Sequence, residues 1–209
     1  MKSVRSLVLW LSVTITVSAC GPSARYTPPS EFSRLPTEIV VHADYDTAWT
    51  ALIRHVSETF FSIEHFEKDS GLIVLSFAAD KPSVYVDCGN YSAARLPFNP
   101  SDYSGAYADY ATQFMGARLS GRLNINVNRI SDDKTGIRVI ARYIFGPMQR
   151  EDFLSAATGQ RPSFAFDTGQ SDTKLVTDTR GSLSARSCRP THVAEYSILE
   201  AVNKNLEKK

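Results

Sequence analysis

Two stretches of strict alternation set the architecture this chain can adopt. Leu123, Ile125 and Val127 alternate with Asn124, Asn126 and Asn128. After a turn at 131–136, Ile137, Val139, Ala141, Tyr143 and Phe145 repeat the pattern, with Arg138 and Arg142 on the opposite side. A period of two marks a strand whose faces meet different surroundings. The asparagines and arginines place one face in water or against a polar partner, so the apolar face needs a cover. Two segments can supply it. Trp49, Leu52, Ile53, Val56 and Phe60 recur at helical spacing, with Asp44 or Asp46 as cap and an end near Thr59. A second helix is expected from near Pro190 to about Leu206, with Val193, Ile198, Leu199, Val202 and Leu206 on its apolar side.

Shorter strands fill in the rest. Glu38, Ile39, Val40, Val41 and His42 form one. Residues 61–66 and 72–77 form a hairpin, closed by a turn in which Gly71 takes the positive φ required. Residues 83–88 and 174–179 add two more. The expected fold class is α+β, an antiparallel sheet of about five to six strands with two helices on one face. Two long segments interrupt this plan. Residues 89–112 interleave Tyr91, Phe98, Tyr103, Tyr107 and Tyr110 with prolines and glycines, which predicts an irregular loop with a short helix around Tyr107 to Ala111. Tyrosine buries much area while keeping a polar tip, so Tyr91, Tyr103, Tyr107 and Tyr110 mark either a contact loop or a loop packed on itself. In the second, 146–172, Phe153, Phe164 and Phe166 are expected to pin the insertion to the body.

The chain begins with an export address. Lys2 and Arg5 precede an apolar run from Leu7 through Val17, too short to span a bilayer comfortably. The run closes on Val17, Ser18, Ala19, Cys20 and Gly21, which resembles the lipobox of bacterial lipoproteins. That resemblance implies removal of 1–19 and acylation of Cys20; the alternative is an ordinary signal with an incidental cysteine. Residues 20–36 then read as lipidated cysteine and flexible tether, because Pro22, Pro28, Pro29 and Pro36 oppose regular structure. Residues 37–209 read as a single periplasmic domain. With Cys20 acylated, Cys88 and Cys188 remain in an oxidising compartment, where an isolated pair bridges. The competing use, a metal held by Cys88, Cys188 and His192, lacks a fourth ligand.

Nothing in the chain carries a familiar catalytic spacing. There is no Gly-x-Ser-x-Gly, Gly-x-Gly-x-x-Gly, glycine-lysine phosphate loop or His-Glu-x-x-His, and the histidines at 42, 55, 65 and 192 are scattered. A net charge of +1 argues against nucleic acid as partner. No catalytic residue, metal or cofactor beyond the covalent lipid is expected. The run from Asp46, Trp49 and Leu52 to Phe66, Asp69, Ser70, Gly71, Leu72 and Ile73 resembles the helix-grip domains of BamC-like envelope lipoproteins. The resemblance implies helices gripping one sheet face. Absence of an aspartate after Cys20 implies the outer membrane, facing the periplasm. The functional expectation is a non-enzymatic, membrane-anchored accessory or scaffold lipoprotein binding an envelope protein. The alternative is an apolar-ligand or lipid-binding lipoprotein, with a pocket between helix and sheet.

Overall fold

The computed structural model describes residues 23–29, 31–94, 102–147, 163–177 and 183–207. The export address, Cys20 and Phe153 lie outside these residues. In chain order come β1 (Ser23–Thr27), β2 (Glu38–Val41), α1 (Tyr45–Ser57), β3 (Ser62–Glu67) and β4 (Leu72–Ala79). A single 3-10 turn, Pro82–Val84, leads to β5 (Val86–Asp87), β6 (Asn90–Ala94), β7 (Tyr103–Ala106) and α2 (Tyr107–Met115). Then follow β8 (Ala117–Ser131), β9 (Lys134–Pro147), β10 (Phe164–Asp167), β11 (Asp172–Thr177), β12 (Leu183–Pro190) and α3 (Val193–Glu207). The α+β class holds, with antiparallel pairing throughout the described ladders and three helices rather than two.

The alternating stretches make the long central hairpin. Its register sets Leu123 against Ala141, Ile125 against Val139 and Val127 against Ile137, all buried. β4 joins on the other side of β8, aligning Ile73 with Ile125, Leu75 with Leu123 and Phe77 with Gly121. Gly121 is a glycine for a reason of space: a Cβ there would lie 2.2 Å from the Phe77 ring. The sheet runs β10-β9-β8-β4-β3, with β2 pairing the far half of β9. Its other face is polar. Arg122 and Arg142 stand directly opposite one another, an unfavourable like-charge pairing. Each has a carboxylate partner: Arg142 meets Asp167 of the neighbouring β10 at 3.9 Å, and Arg122 reaches across β4 to Glu64 of β3 at 3.3 Å.

α1 and α3 pack on each other, and both reach β9. In α1, Asp44 is the cap, its Oδ1 accepting from the Thr47 amide at 2.9 Å, and Trp49, Leu52 and Val56 are buried as expected. Phe60 departs from that stripe. The helix ends at Ser57, and Phe60 lies outside it and exposed. α3 buries Ile198, Leu199 and Val202 but starts at Val193, because Pro190 still belongs to β12. The expected strand at 83–88 is instead the 3-10 turn plus β5, since Pro82 opens a tight turn. The expected last strand is β11, and an additional strand, β12, pairs with it.

The largest departures are in the segments read as irregular. The stretch read as tether carries β1, which pairs along five residues with β6. The predicted loop at 89–112 contains two unexpected strands, β6 and β7, while α2 covers the short helix expected at Tyr107 to Ala111 and extends it to Met115. β1, β6 and β7 form a separate three-stranded sheet. Phe164 and Phe166 pin the second insertion, as expected, by pairing β10 with β9 and stacking on Phe145 and Tyr143.

Candidate functional site

Strand β3 is the open edge of the six-stranded sheet, and all six of its residues are exposed. Two local features build it. The Gly71 turn supplies the first: Gly71 has φ +68°, and a Cβ there would meet the Val127 carbonyl at 2.1 Å. The Gly71 carbonyl in turn accepts from the Val127 amide at 2.8 Å. The same turn is clamped to the start of α1, where the Tyr45 hydroxyl donates to the Lys68 carbonyl and Lys68 Nζ meets Asp46 Oδ1 at 2.7 Å.

The second feature is a bulge between Ile63 and His65. In regular pleat, residues 63 and 66 would face opposite sides. The extra residue puts both inward, Ile63 opposite Leu75 and Phe66 opposite Ile73. Yet neither is covered: the main sheet contacts of α1 fall on β8 and β9, and those of α3 on β9 and β2. Ile63 is 39% exposed, Phe66 58% and Phe60 59%. Phe60 leans on Phe61 at 4.5 Å between ring centres and edges against Phe77 and Tyr85. The result is an apolar strip along a strand whose outer backbone groups have no neighbouring strand among the described residues. Such an edge can take an added strand from another chain, with side-chain pockets giving selectivity.

The tyrosines read as either a contact loop or a loop packed on itself are turned inward. Tyr91, Tyr107 and Tyr110 are buried and Tyr103 half-buried, so their rings are not a contact surface; this corrects the open-loop alternative. They interlock instead. Tyr91 and Tyr110 lie 4.4 Å apart, Tyr103 and Tyr110 5.1 Å, and Phe114 closes the group. Buried Arg186 of β12 fills the centre, its guanidinium 4.0 Å from the Tyr26 ring and 5.4 Å from that of Tyr107. No carboxylate among the described residues pairs with it, so the negative ring faces carry its charge. Burial pushes the Tyr107 hydroxyl above its ordinary pKa, and the nearby Arg186 charge pulls against that shift.

A second buried centre ties α3 to the sheet. The Glu195 carboxylate, fully buried in the first turn of α3, accepts from the Tyr143 hydroxyl at 2.6 Å and from Thr168 Oγ1 at 2.7 Å. Thr168 also takes the Ala141 amide at 2.8 Å. Burial, reinforced by the adjacent Glu195 charge, drives the Tyr143 pKa far upward and keeps the hydroxyl a donor. The helix N-terminus favours a carboxylate at this position. The centre is closed to solvent, which fits a structural bond better than a catalytic one. Sequence reasoning missed it. The available signal was an acidic residue, Glu195, beside Ala194 and one turn before Ile198 and Leu199 on the apolar side of the helix.

Cys88 and Cys188 lie with sulfurs at disulfide distance, 2.07 Å, so they face each other rather than a shared metal. No group of three His, Cys, Asp or Glu side chains suited to a metal occurs among the described residues. No described helix is long and apolar enough to cross a membrane. Comparison with protein-family models, curated proteins and solved structures finds no match to this chain.

Proposed function

We propose that this chain is a lipid-anchored envelope protein that holds partner proteins at the outer membrane, without catalysing a reaction. The carrying observation is the β3 edge: a fully exposed edge strand with Phe60, Ile63 and Phe66 aligned beside it. Cys20 supplies the anchor in this reading, and β3 receives an extended segment of the partner by strand addition. The resemblance to helix-grip lipoproteins agrees with a body that serves as an adaptor. Apolar-ligand binding is the weaker reading. Trp49, Phe77, Tyr143 and Phe145 are all buried in the region where helix and sheet would have to part to make a pocket.

The test is capture from crosslinked cells using the lipidated protein and the double variant Ile63→Lys/Phe66→Lys. Both positions are exposed, so the fold should survive. A partner recovered by the wild type and lost by the variant supports strand addition at β3. Equal recovery by both sinks it.

A further inference from the structure

Strand β1 starts at Ser23, only three residues after Cys20. It is firmly held. Its pairing with β6 runs from Ser23 opposite Ala94 to Thr27 opposite Asn90. The Tyr26 hydroxyl takes the Ser187 amide at 3.0 Å, the Tyr26 ring meets the Tyr107 ring edge-on at 5.8 Å, and Arg186 caps it. A chain covers at most about 3.6 Å per residue, so the Cys20 Cα lies within about 11 Å of Ser23. A free tether extending to residue 36 would instead reach roughly 50 Å. We propose that the domain, once lipidated on Cys20, rests directly on the bilayer, with the Ser23 end of β1 and the C-terminal end of α2 facing the lipid headgroups. This rests on the lipid-anchor reading above.

The surface at that end has suitable chemistry. Ala24 pairs with Ala93, Ala93 pairs with Tyr103, and the Tyr103 ring lies 5.9 Å from that of Phe114. At about 4.8 Å between strands, and allowing for the length of the Tyr103 side chain, the Phe114 ring sits within roughly 20 Å of Ala24. Phe114 is an exposed aromatic, and Tyr103 beside it is half-buried. Tyr103 spends its hydroxyl on the Ala106 carbonyl, so the ring offered to the membrane is that of Phe114, which can bury at the headgroup–acyl boundary. Arg25, exposed on β1, adds a charge matched to anionic headgroups. The opposite pole carries β2, where Val40 pairs with Gly136, itself opposite Asn128. Along β8 from Ala117 to Asn128 that is about 35 Å away. Strand β3 ends in the Gly71 turn beside Val127, toward this pole, and so stays free for a protein partner.

The experiment places the lipidated protein in vesicles with brominated acyl chains and reads tryptophan emission. Trp49, buried near the far pole, is the one tryptophan outside residues 1–19 and gives the baseline. Phe114→Trp should show a roughly twofold loss of emission relative to unbrominated vesicles, as expected for a side chain seated at the acyl boundary. Val40→Trp and the wild type should not change. A Gly/Ser segment of roughly 20 residues between Pro22 and Ser23, with an average reach of about 25 Å, should restore the Phe114→Trp signal while the protein stays vesicle-bound. Unquenched Phe114→Trp in acylated, vesicle-bound protein overturns the proposal and leaves the anchor reading standing. Quenching that survives the inserted segment also overturns it, because the short link then does not set the contact. A Cys20 peptide without acyl mass overturns both.

Discussion

The six-stranded sheet and the β1–β6–β7 sheet with α2 sit in the same chain but are held by different means. In the large sheet, neighbouring strands bring aliphatic side chains into register: Leu75, Leu123 and Ala141 form one row, Ile73, Ile125 and Val139 the next. In the small one, the joining contacts come from Tyr26, Tyr91, Tyr107 and Arg186, and the Tyr26–Ser187 bond spans 161 residues of sequence. Burial of close-packed aliphatic side chains spreads stability over many positions, and emptying any one of them carries its own transfer and cavity cost. An interlocked set of rings around one cation depends on each member.

That contrast can be broken at several points. The largest effect is expected from Leu123→Ala, which empties a fully buried position in the large sheet. It should cost about 2–5 kcal/mol in denaturant unfolding and lower protection from hydrogen exchange throughout. A change under about 1 kcal/mol would show the sheet repacks more freely than its register implies. Next comes Cys88→Ser/Cys188→Ser. The bridge closes a separation of 100 residues, worth on the order of 4–5 kcal/mol in chain-entropy terms, which is an upper figure. Its loss should appear first as hydrogen exchange in β1, β6 and β12, with β8 and β9 protected longer. Simultaneous loss everywhere would mean the two regions unfold as one unit.

Tyr143→Phe strips the Glu195 carboxylate of one of two side-chain donors at a solvent-free site, at a cost of about 1–3 kcal/mol. A neutral result would argue against Glu195 as the α3 fastener. Arg186→Met keeps apolar bulk and removes the cation, with an expected loss of about 1–2 kcal/mol confined to the small sheet. The smallest effect is in pH. Burial lowers the His55 pKa below its ordinary 6.5, so folding favours the neutral ring. Stability is therefore full above pH 6.5 and falls as pH drops below it, and His55→Gln should flatten that shallow slope. An unchanged slope would assign the acid sensitivity to other groups.

The same contrast explains what could be read from the residues. Alternation at 123–127 and 137–145, the Trp49–Leu52–Val56 stripe and the Gly71 turn are local patterns, and each reappears in the structure as expected. β1 was hidden because Pro22, Pro28 and Pro29 look like breakers. They bracket the five-residue strand instead of interrupting it, and its pairing partner lies more than sixty residues away. β6 and β7 are short and rich in small residues, so their strand character comes from β1 and from each other rather than from period. The inward turn of the tyrosines depends on Arg186, which no spacing rule connects to residues 89–112. Phe60 was assigned to the helix stripe by spacing alone, but the helix stops before it, and that misfit exposes part of the β3 strip.

Everything proposed about location depends on Cys20, and one comparison addresses it. Wild-type protein expressed in an enveloped bacterium should sediment with membranes, and its N-terminal peptide should begin at Cys20 and carry acyl mass. Cys20→Ala should leave the membrane fraction or accumulate with residues 1–19 still attached. A Cys20→Ala protein that is processed and fractionates like the wild type contradicts the anchor, and with it the account of a body held against the outer membrane to receive a partner at β3.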